Sequence, residues 1–261
     1  MSENGTGAFL HFWTAENLTR FPWLAHGVTA RTGGVSVPPY KSLNLGAHVG
    51  DDPESVQQNR RIVAEAMGFR PEAMVCSEQV HGTAVAVVTG PHSDPIPQTD
   101  ALITNTPGLL LTLFFADCLP VLFVASEQRA IGLAHAGWRG LAGGVLENTV
   151  ERLIRNYGAT VETLQVAIGP GIGPCCFEVG DEVAAVFPED VARKSDRGKP
   201  RVNLPAAARR RLVALGIPAG NVLHAEACTS CLPERYFSHR RDSGKTGRMA
   251  ALLGIQVIPE D

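Results

Sequence analysis

The sequence has 261 residues, of which 44% are apolar and 19% are charged, and its formal net charge is −3. This composition supports a sizeable buried core and excludes a largely disordered chain. The near balance of charge also lacks the basic surplus of a protein that binds nucleic acid or an anionic membrane. Eight histidines and six cysteines remain as the residues whose chemistry must be assigned.

The first residues lack the basic segment and the long apolar core of a secretory signal. The most apolar stretch, Leu109–Ala125, is too short to span a bilayer. We therefore expect a cytoplasmic protein that contacts neither a membrane nor nucleic acid, and whose cysteines are thiols or metal ligands rather than disulfides. No repeat or linker divides the chain, so a single domain over residues 1–261 is predicted, as a monomer or a weak homo-oligomer.

Four helices are predicted from apolar periodicity and from capping residues. Asp51 or Asp52 can cap the first helix and Gly68 can stop it, while Gly158 can stop the second. The predicted helices are Pro53–Phe69, Leu141–Tyr157, Asp181–Phe187 and Ala206–Leu215.

Predicted strands are more numerous than helices. Runs such as LLLTLFF and VLFVA are continuous rather than alternating, which is typical of strands buried on both faces. Several strands follow one another too closely for helical crossovers, so we predict an α/β (α+β) fold with a mixed, partly antiparallel sheet covered by helices. The predicted strands are Val28–Arg31, Met74–His81, Thr83–Val88, Ala101–Thr104, Leu109–Phe115, Val121–Ala125, Ala130–Ala134, Leu164–Gly169, Val222–Ala225 and Ile255–Ile258.

Asp117 and Cys118 interrupt the apolar stretch Leu109–Ala125. An aspartate in such a place is costly unless it is paired, caps a turn or faces a cavity. Pro120 and the apolar flanks indicate a strand end or turn that meets a pocket. Taken alone, Cys118 is interpreted as a small buried apolar residue.

Two histidines change that interpretation. His135 follows a buried strand in AHAGWRG, and His81 precedes a glycine in SEQVHGT. Together with Cys118 they offer two imidazoles and a thiolate, a donor set that zinc accepts, and three protein ligands leave the fourth position open for water or substrate. The helix start after His135 favours an anion, with Arg139 beside it.

The segments SEQVHGTAV, TDALITN, FFADCLPVLF, AHAGWRGLAGGV, IGPGIGPCCFEVG and FSHRRDSGKTGRM resemble the motif series of the YfiH-like family. This family is also called the laccase-domain or polyphenol oxidase family, and more recently purine nucleoside phosphorylase. The motifs occur in the expected order over nearly the whole chain. The resemblance implies a single-domain α/β fold and a metal site at His81, Cys118 and His135, holding zinc, with copper as the alternative occupant.

The resemblance also implies an activity: phosphorolysis of adenosine, inosine and methylthioadenosine, with adenosine deamination at the same site. One alternative to this activity is cytoplasmic amidase-type editing of a peptidoglycan precursor. Another is a metal-binding protein without catalysis. Copper-dependent phenol oxidation is disfavoured, because a multicopper oxidase needs His-x-His pairs and the sequence has none. The purine is expected to stack on Trp138 or Phe115, although core packing explains both residues equally well.

Five further residues receive roles as hypotheses. Arg139 holds phosphate together with the helix start. Asp117 is either a proton shuttle or a residue that positions its neighbours. Asn44 either hydrogen-bonds the substrate or stabilises a turn. Arg31 and Arg240 either line the pocket or form surface ion pairs.

A second set of cysteines resembles a zinc signature but is interpreted differently. His224-x-Glu226 and Cys228-x-x-Cys231 contain both halves of the zinc deaminase motif, but the halves lie too close together to occupy separate helices. A four-thiolate zinc that adds Cys175–Cys176 is disfavoured, because adjacent cysteines rarely bind one metal well.

Overall fold

The computed structural model describes residues 10–195 and 198–257. Its strands form two sheets and a separate hairpin. The strands are β1 (Phe12–Trp13), β2 (Leu24–Thr29), β3 (Met74–Val75), β4 (Val85–Val87), β5 (Ala101–Thr104), β6 (Leu110–Phe115), β7 (Leu119–Ala125), β8 (Ala130–Ala136), β9 (Gln165–Ile168), β10 (Ala192–Ser195), β11 (Gly198–Val202), β12 (Val222–His224) and β13 (Met249–Ile255).

The first sheet has the order β1-β2-β13-β6-β3, and the second has the order β12-β9-β7-β8-β5-β4. Three pairings are parallel (β3 with β6, β4 with β5, and β9 with β12). The other pairings within the two sheets are antiparallel. The predicted mixed, partly antiparallel architecture is confirmed, and the structure divides it between two sheets.

Five helices accompany these sheets in the described part of the chain. Three predicted boundaries are wrong: α1 ends three residues early, α4 is one turn long, and Gly144 separates α2 from α3. Gly144 has a φ of 100°, a left-handed conformation that glycine adopts without strain and that ends a helix. The helices are α1 (Pro53–Ala66), α2 (Trp138–Gly143), α3 (Val145–Tyr157), α4 (Asp181–Ala184) and α5 (Leu204–Ala214).

Apolar side chains fill three layers of core. Between the two sheets lie Leu111 and Leu113 of β6, Leu122 of β7 and Leu253 of β13. α1 packs on the outer face of the first sheet, and α3 and α5 pack on the outer face of the second. Both faces of the central strands are covered, so the residues on neither face contact solvent. This explains why the apolar runs of these strands are continuous rather than alternating. Each fully buried leucine stabilises the fold by about 1.5–3 kcal/mol.

The strand prediction failed at several places, and the predicted strand Met74–His81 is only the two-residue β3, Met74–Val75. β13 was predicted at Ile255–Ile258, of which Ile258 lies outside the described residues, whereas the strand is Met249–Ile255. Its sequence MAALLGI is rich in alanine and glycine, which have low strand propensity, so only burial between β2 and β6 makes it a strand. Strands β1, β10 and β11 were not predicted. No helix in the described part of the chain combines the length and apolarity needed to cross a membrane.

Candidate functional site

His81, Cys118 and His135 converge at one edge of the second sheet, and we call them the cavity site. Cys118 directly precedes β7, and His135 is the penultimate residue of β8; the antiparallel pairing of Leu119 with Ala136 brings these strand ends together. His81 lies in the loop between β3 and β4 with a φ of 59°, so its predicted place at a strand end is wrong. The ligating atoms of the three side chains all lie within 4.8 Å of one another.

Asp100, which precedes β5, orients two of these residues from a fully buried position. Its Oδ1 accepts hydrogen bonds from His135 Nδ1 at 2.8 Å and from the backbone N–H of His81 at 2.9 Å. Its Oδ2 accepts from the N–H groups of Gly82 at 2.7 Å and Val80 at 3.1 Å. Because a carboxylate only accepts hydrogen bonds, Nδ1 of His135 carries a proton, and Nε2 is the nitrogen that remains to ligate a metal, as in metal-ligating histidines.

Asp100 was missed by the sequence analysis, although a signal was present. It stands at the start of the apolar run Ala101–Ile103. As at Asp117, burial of a carboxylate beside an apolar run costs free energy unless the carboxylate has a partner. The sequence alone does not show that its partner is His135, because the pairing of Ala101 with Ala134 sets that contact.

Gly137 makes room for two of the donors. A Cβ at this position would lie 2.9 Å from Cys118 Sγ and 2.9 Å from His81 Cδ2. The φ of Gly137 is −70°, so the requirement is space rather than backbone freedom. Gly137 thus lets the thiol of Cys118 and the imidazole of His81 approach each other.

The electrostatics of the cavity site favour the ionised thiol. Burial raises the pKa of Cys118, but His135 and His81 outweigh burial and lower the pKa to about 6. Burial lowers the pKa of His135, but Cys118 and Asp100 outweigh it and raise the pKa to about 9. Burial also raises the pKa of Asp100, and its hydrogen bonds from His135 and the backbone hold it below its ordinary value. The thiolate is the form that binds metals.

A cavity of about 620 Å³ opens over the three donors. This volume lies in the range of small-molecule sites. Phe114 and Phe177 line its wall, whereas the predicted stacking residues Trp138 and Phe115 do not. Its basic wall residues, apart from the two donor histidines, are His48, Arg60, His239, Arg240 and Arg248.

Two arginines supply cations that the sequence analysis did not single out. Arg60 donates from Nε to the backbone O of Leu45 at 3.0 Å, and its guanidinium lies 4.7 Å from the Phe114 ring centroid. Arg248 donates from Nη1 to the backbone O of Thr246 at 2.9 Å. Neither guanidinium is ion-paired with a carboxylate of residues 10–195 and 198–257. Both charges therefore remain available to an anion.

The structure does not bring Arg139, the predicted phosphate ligand, to the cavity wall. Its side chain is exposed and its guanidinium lies 4.6 Å from the Trp138 ring centroid. Arg139 is not among the residues that line the cavity, and α2 after it has only six residues. The arginines on the cavity wall are instead Arg60, Arg240 and Arg248.

Of the other predicted pocket residues, Arg240 lies on the cavity wall and Arg31 does not. Arg240 donates from Nη1 to Glu178 O at 2.6 Å. Arg31 instead donates to Lys41 O at 3.2 Å and Pro233 O at 2.9 Å, so it joins two loops. In the described part of the chain neither arginine forms the ion pair offered as the alternative.

Asn44 is fully buried and does not line the cavity. Its Nδ2 donates to Asp51 Oδ2 at 2.8 Å, and its Oδ1 accepts from the backbone N–H of Arg248 at 2.8 Å. These contacts favour the turn-stabilising alternative over direct substrate binding. Asp52, rather than Asp51, caps α1 by accepting from Ser55 N.

Asp117 lies on the cavity wall, and both of its carboxylate oxygens are engaged. Oδ1 accepts from Thr229 Oγ1 at 2.6 Å, and Oδ2 accepts from the backbone N–H of Arg240 at 2.7 Å. These contacts favour the positioning role over the proton shuttle, since they join the β6–β7 turn to two points of the segment between β12 and β13.

A second group of metal-binding side chains lies outside the cavity wall. We call Cys175, Cys176, Cys228 and Cys231 the four-cysteine cluster; their sulfur atoms all lie within 4.8 Å of one another. The sequence analysis disfavoured a four-thiolate zinc at these residues, but the structure brings all four sulfur atoms together. His224 is not part of the cluster, in agreement with the rejection of the deaminase motif.

Comparisons with known proteins agree with the motif series. Residues 25–256 match the model of a family described as multi-copper polyphenol oxidoreductase laccase. The chain is 41% identical over 257 residues to a protein of Geobacillus stearothermophilus named purine nucleoside phosphorylase YlmD, covering 93% of this chain and 94% of that protein. It is 42% identical over 233 residues to purine nucleoside phosphorylase YfiH of Escherichia coli, covering 87% and 92%.

Solved structures show the same fold. The crystal structure of YlmD from Geobacillus stearothermophilus superposes with a TM-score of 0.88 at 40% identity, covering 93% of this chain and 94% of that one. The crystal structure of a Bacillus licheniformis protein named YfiH gives a TM-score of 0.86 at 36% identity, covering 89% and 93%.

Proposed function

This chain belongs to the family of YfiH and YlmD, described as multi-copper polyphenol oxidoreductase laccases, and from that premise we propose that it is a zinc-dependent purine nucleoside phosphorylase. The observation that carries the proposal is the cavity site itself. His81, Cys118 and His135 present three donors to a cavity of nucleoside size. Its wall holds three arginines, Arg60, Arg240 and Arg248, that have no carboxylate partner among residues 10–195 and 198–257.

The donor set fits a zinc ion. Two imidazoles and one thiolate are ligands that zinc accepts, and the hydrogen bond from His135 to Asp100 leaves Nε2 free to ligate. Copper is the alternative occupant of the same donors. When bound, the ion supplies Lewis-acid polarisation of a substrate oxygen or of water.

The cavity wall offers separate surfaces for the two substrates. Phe114 and Phe177 present aromatic faces on which a purine can stack. Arg60 and Arg248 offer N–H donors to inorganic phosphate, and hydrogen bonds between charged groups are stronger than neutral ones. The proposed nucleosides are adenosine, inosine and methylthioadenosine.

In the proposed reaction a phosphate oxygen attacks the anomeric carbon of the ribose. The bond from that carbon to the purine nitrogen breaks, the electron pair leaves with the purine, and the purine takes up a proton that balances the one released by hydrogen phosphate. The products are the free base and a ribose 1-phosphate. Positive charge develops on the ribose in such a transition state, and the phosphate held by the arginines supplies the opposing negative charge.

Phenol oxidation by a multicopper centre is not proposed. Such a centre needs a histidine-rich cluster as well as a mononuclear copper site. In residues 10–195 and 198–257, the two groups of metal-binding side chains contain only His81 and His135 between them.

The decisive experiment incubates zinc-reconstituted protein with adenosine and inorganic phosphate and measures adenine. We expect phosphate-dependent adenine release that falls by about 1,000-fold or more in Cys118→Ala, because an essential group is removed. Cys76→Ala is the matched control, since Cys76 is a buried thiol outside the cavity wall. Formation of inosine from adenosine without phosphate tests the proposed deaminase side activity.

Equal adenine release by wild-type and Cys118→Ala protein contradicts the proposal, and so does release that does not depend on phosphate. A muramyl precursor carrying the wrong amino acid, incubated in parallel, tests the editing alternative. Its cleavage by wild-type protein, in the absence of adenosine phosphorolysis, would favour that amidase.

A further inference from the structure

The loops that follow β9 and β12 begin side by side. β9 and β12 are parallel neighbours, with Val166 paired to Val222 and Ile168 paired to His224, so their carboxyl ends meet at the same sheet edge. The two loops stay joined beyond the strands, because the backbone N–H of Thr229 donates to Gly171 O at 3.0 Å. This pairing carries cysteines from both loops to one place.

The four-cysteine cluster draws two residues from each loop. Cys231 Sγ lies 3.3 Å from Cys176 Sγ and 3.5 Å from Cys175 Sγ, and all four sulfur atoms lie within 4.8 Å of one another. Tetrahedral zinc with bonds of about 2.3 Å to sulfur needs sulfur atoms about 3.8 Å apart. We propose that Cys175, Cys176, Cys228 and Cys231 form a second metal site, a tetrathiolate site for Zn²⁺.

The backbone around the cluster supports a thiolate. The N–H of Gly173 donates to Cys228 Sγ at 3.2 Å, an interaction that favours the ionised sulfur. A Cβ on Gly173 would lie 3.2 Å from Cys228 Cβ, so the glycine lets the loop after β9 approach the loop after β12.

The donor count assigns a structural role to the site. Four protein ligands complete the tetrahedral sphere of zinc and leave no position for a substrate. Cys175 and Cys231 are exposed, so an ion reaches the cluster from solvent. Binding displaces the protons of those thiols that are protonated, which pass to solvent, and the occupied site of one Zn²⁺ and four thiolates carries two negative charges.

A bound ion would tie together loops that shape the cavity. Phe177, next to Cys176, lines the cavity, and Arg240 Nη1 donates to Glu178 O in the same loop. Thr229, next to Cys228, donates to Asp117. The second site thus stabilises the cavity wall without touching the substrate.

The test counts metal on the full-length chain, purified under reducing, oxygen-free conditions and stripped with a chelator. Cys118→Ala removes a thiolate of the cavity site and leaves the four-cysteine cluster unchanged. Titration of this variant with Co²⁺ is expected to give one equivalent, with the intense sulfur-to-cobalt absorption of a tetrathiolate, which one equivalent of Zn²⁺ then displaces. The double variant Cys175→Ser/Cys231→Ser is expected to lose that spectrum, and Cys76→Ala is expected to keep it.

The proposal is overturned if Cys118→Ala binds no Co²⁺ or Zn²⁺, or if its cobalt spectrum survives in the triple variant Cys118→Ala/Cys175→Ser/Cys231→Ser. It is also overturned if peptide mapping of freshly prepared protein finds a disulfide among the four cysteines under the same reducing conditions. The count on Cys118→Ala requires no change at the cluster, so a folding defect of the double variant does not decide the outcome. It also requires no nucleoside, so its failure is separate from failure of the phosphorylase.

Discussion

The cavity site and the four-cysteine cluster use the same donor atom in opposite surroundings. Cys118 lies beside two imidazoles, and a buried carboxylate orients one of them. The four cysteines have only each other as potential ligands, and two of them are exposed. Three donors facing a cavity leave room for a substrate, whereas four donors close the coordination sphere. The number and the neighbours of the cysteines, rather than their presence, thus separate a site suited to catalysis from one suited to structure.

Among the variants that compare the two sites below, Asp100→Asn is expected to cause the largest loss of zinc affinity and activity. The amide keeps the shape but loses the charge and one of the two acceptor oxygens that hold His135 and the loop of His81. Loss of such an outer carboxylate costs about 10- to 100-fold in metal affinity or activity. Zinc competition titration and kcat/KM for adenosine measure the change.

Asp94→Asn is the matched control, since Asp94 is an exposed carboxylate that does not line the cavity. An Asp100→Asn protein with wild-type zinc affinity and activity would show that the cavity site does not depend on its buried carboxylate. The proposed difference between the two sites would then rest on the number of donors alone, and not on the groups that surround them.

Gly137→Ala tests the packing between two donors of the cavity site. The new Cβ would meet Cys118 Sγ and His81 Cδ2 at 2.9 Å, so at least one donor must move. Displacement of a ligating group by a fraction of an ångström is expected to weaken zinc binding at this site by about 10- to 30-fold. The cobalt absorption of the four-cysteine cluster should not change in the same sample.

Gly90→Ala serves as the control, because no atom lies within 4 Å of a Cβ placed at Gly90. Equal zinc affinities of the two variants would contradict the close approach of the thiol and the imidazole.

Arg248→Met tests whether inorganic phosphate binds in the cavity. Removing a charged hydrogen-bond donor costs about 1.5 kcal/mol, so the KM for inorganic phosphate is expected to rise about tenfold. The same change at Arg139, which is exposed and stacked on Trp138, should leave that KM unchanged. Initial rates at varied phosphate concentration decide between them, and the reverse result would restore Arg139 as the phosphate ligand.

The smallest effect on activity is expected from the double variant Cys175→Ser/Cys231→Ser. It should lower the melting temperature, by about 2–4 °C for each kcal/mol of stability lost, and lower kcat/KM by about threefold or less. Thermal unfolding with and without added Zn²⁺ measures the first quantity. If the double variant lost as much activity as Asp100→Asn, the four-cysteine cluster would contribute to catalysis. The proposed contrast between the two sites would then be wrong.

Much of the fold was accessible from local patterns. Strand β5 was predicted with its observed bounds, and β6 to β8 were predicted within two residues at each end, because their apolar runs are uninterrupted. The break at Gly144 was not predicted, because the apolar stripe continues through it and only the positive φ reveals the break. The division into two sheets was also inaccessible, since strand order depends on contacts between distant segments.

The sequence by itself singled out the three side chains of the cavity site, because His81, Cys118 and His135 are chemically distinctive residues in segments that otherwise pack or turn. Only the tertiary structure decided what surrounds them. Asp100, Arg248 and the four-cysteine cluster take their roles from contacts between elements far apart along the chain. The physical reason is that residue type sets which bonds a side chain can form, whereas strand pairing sets which partner it meets.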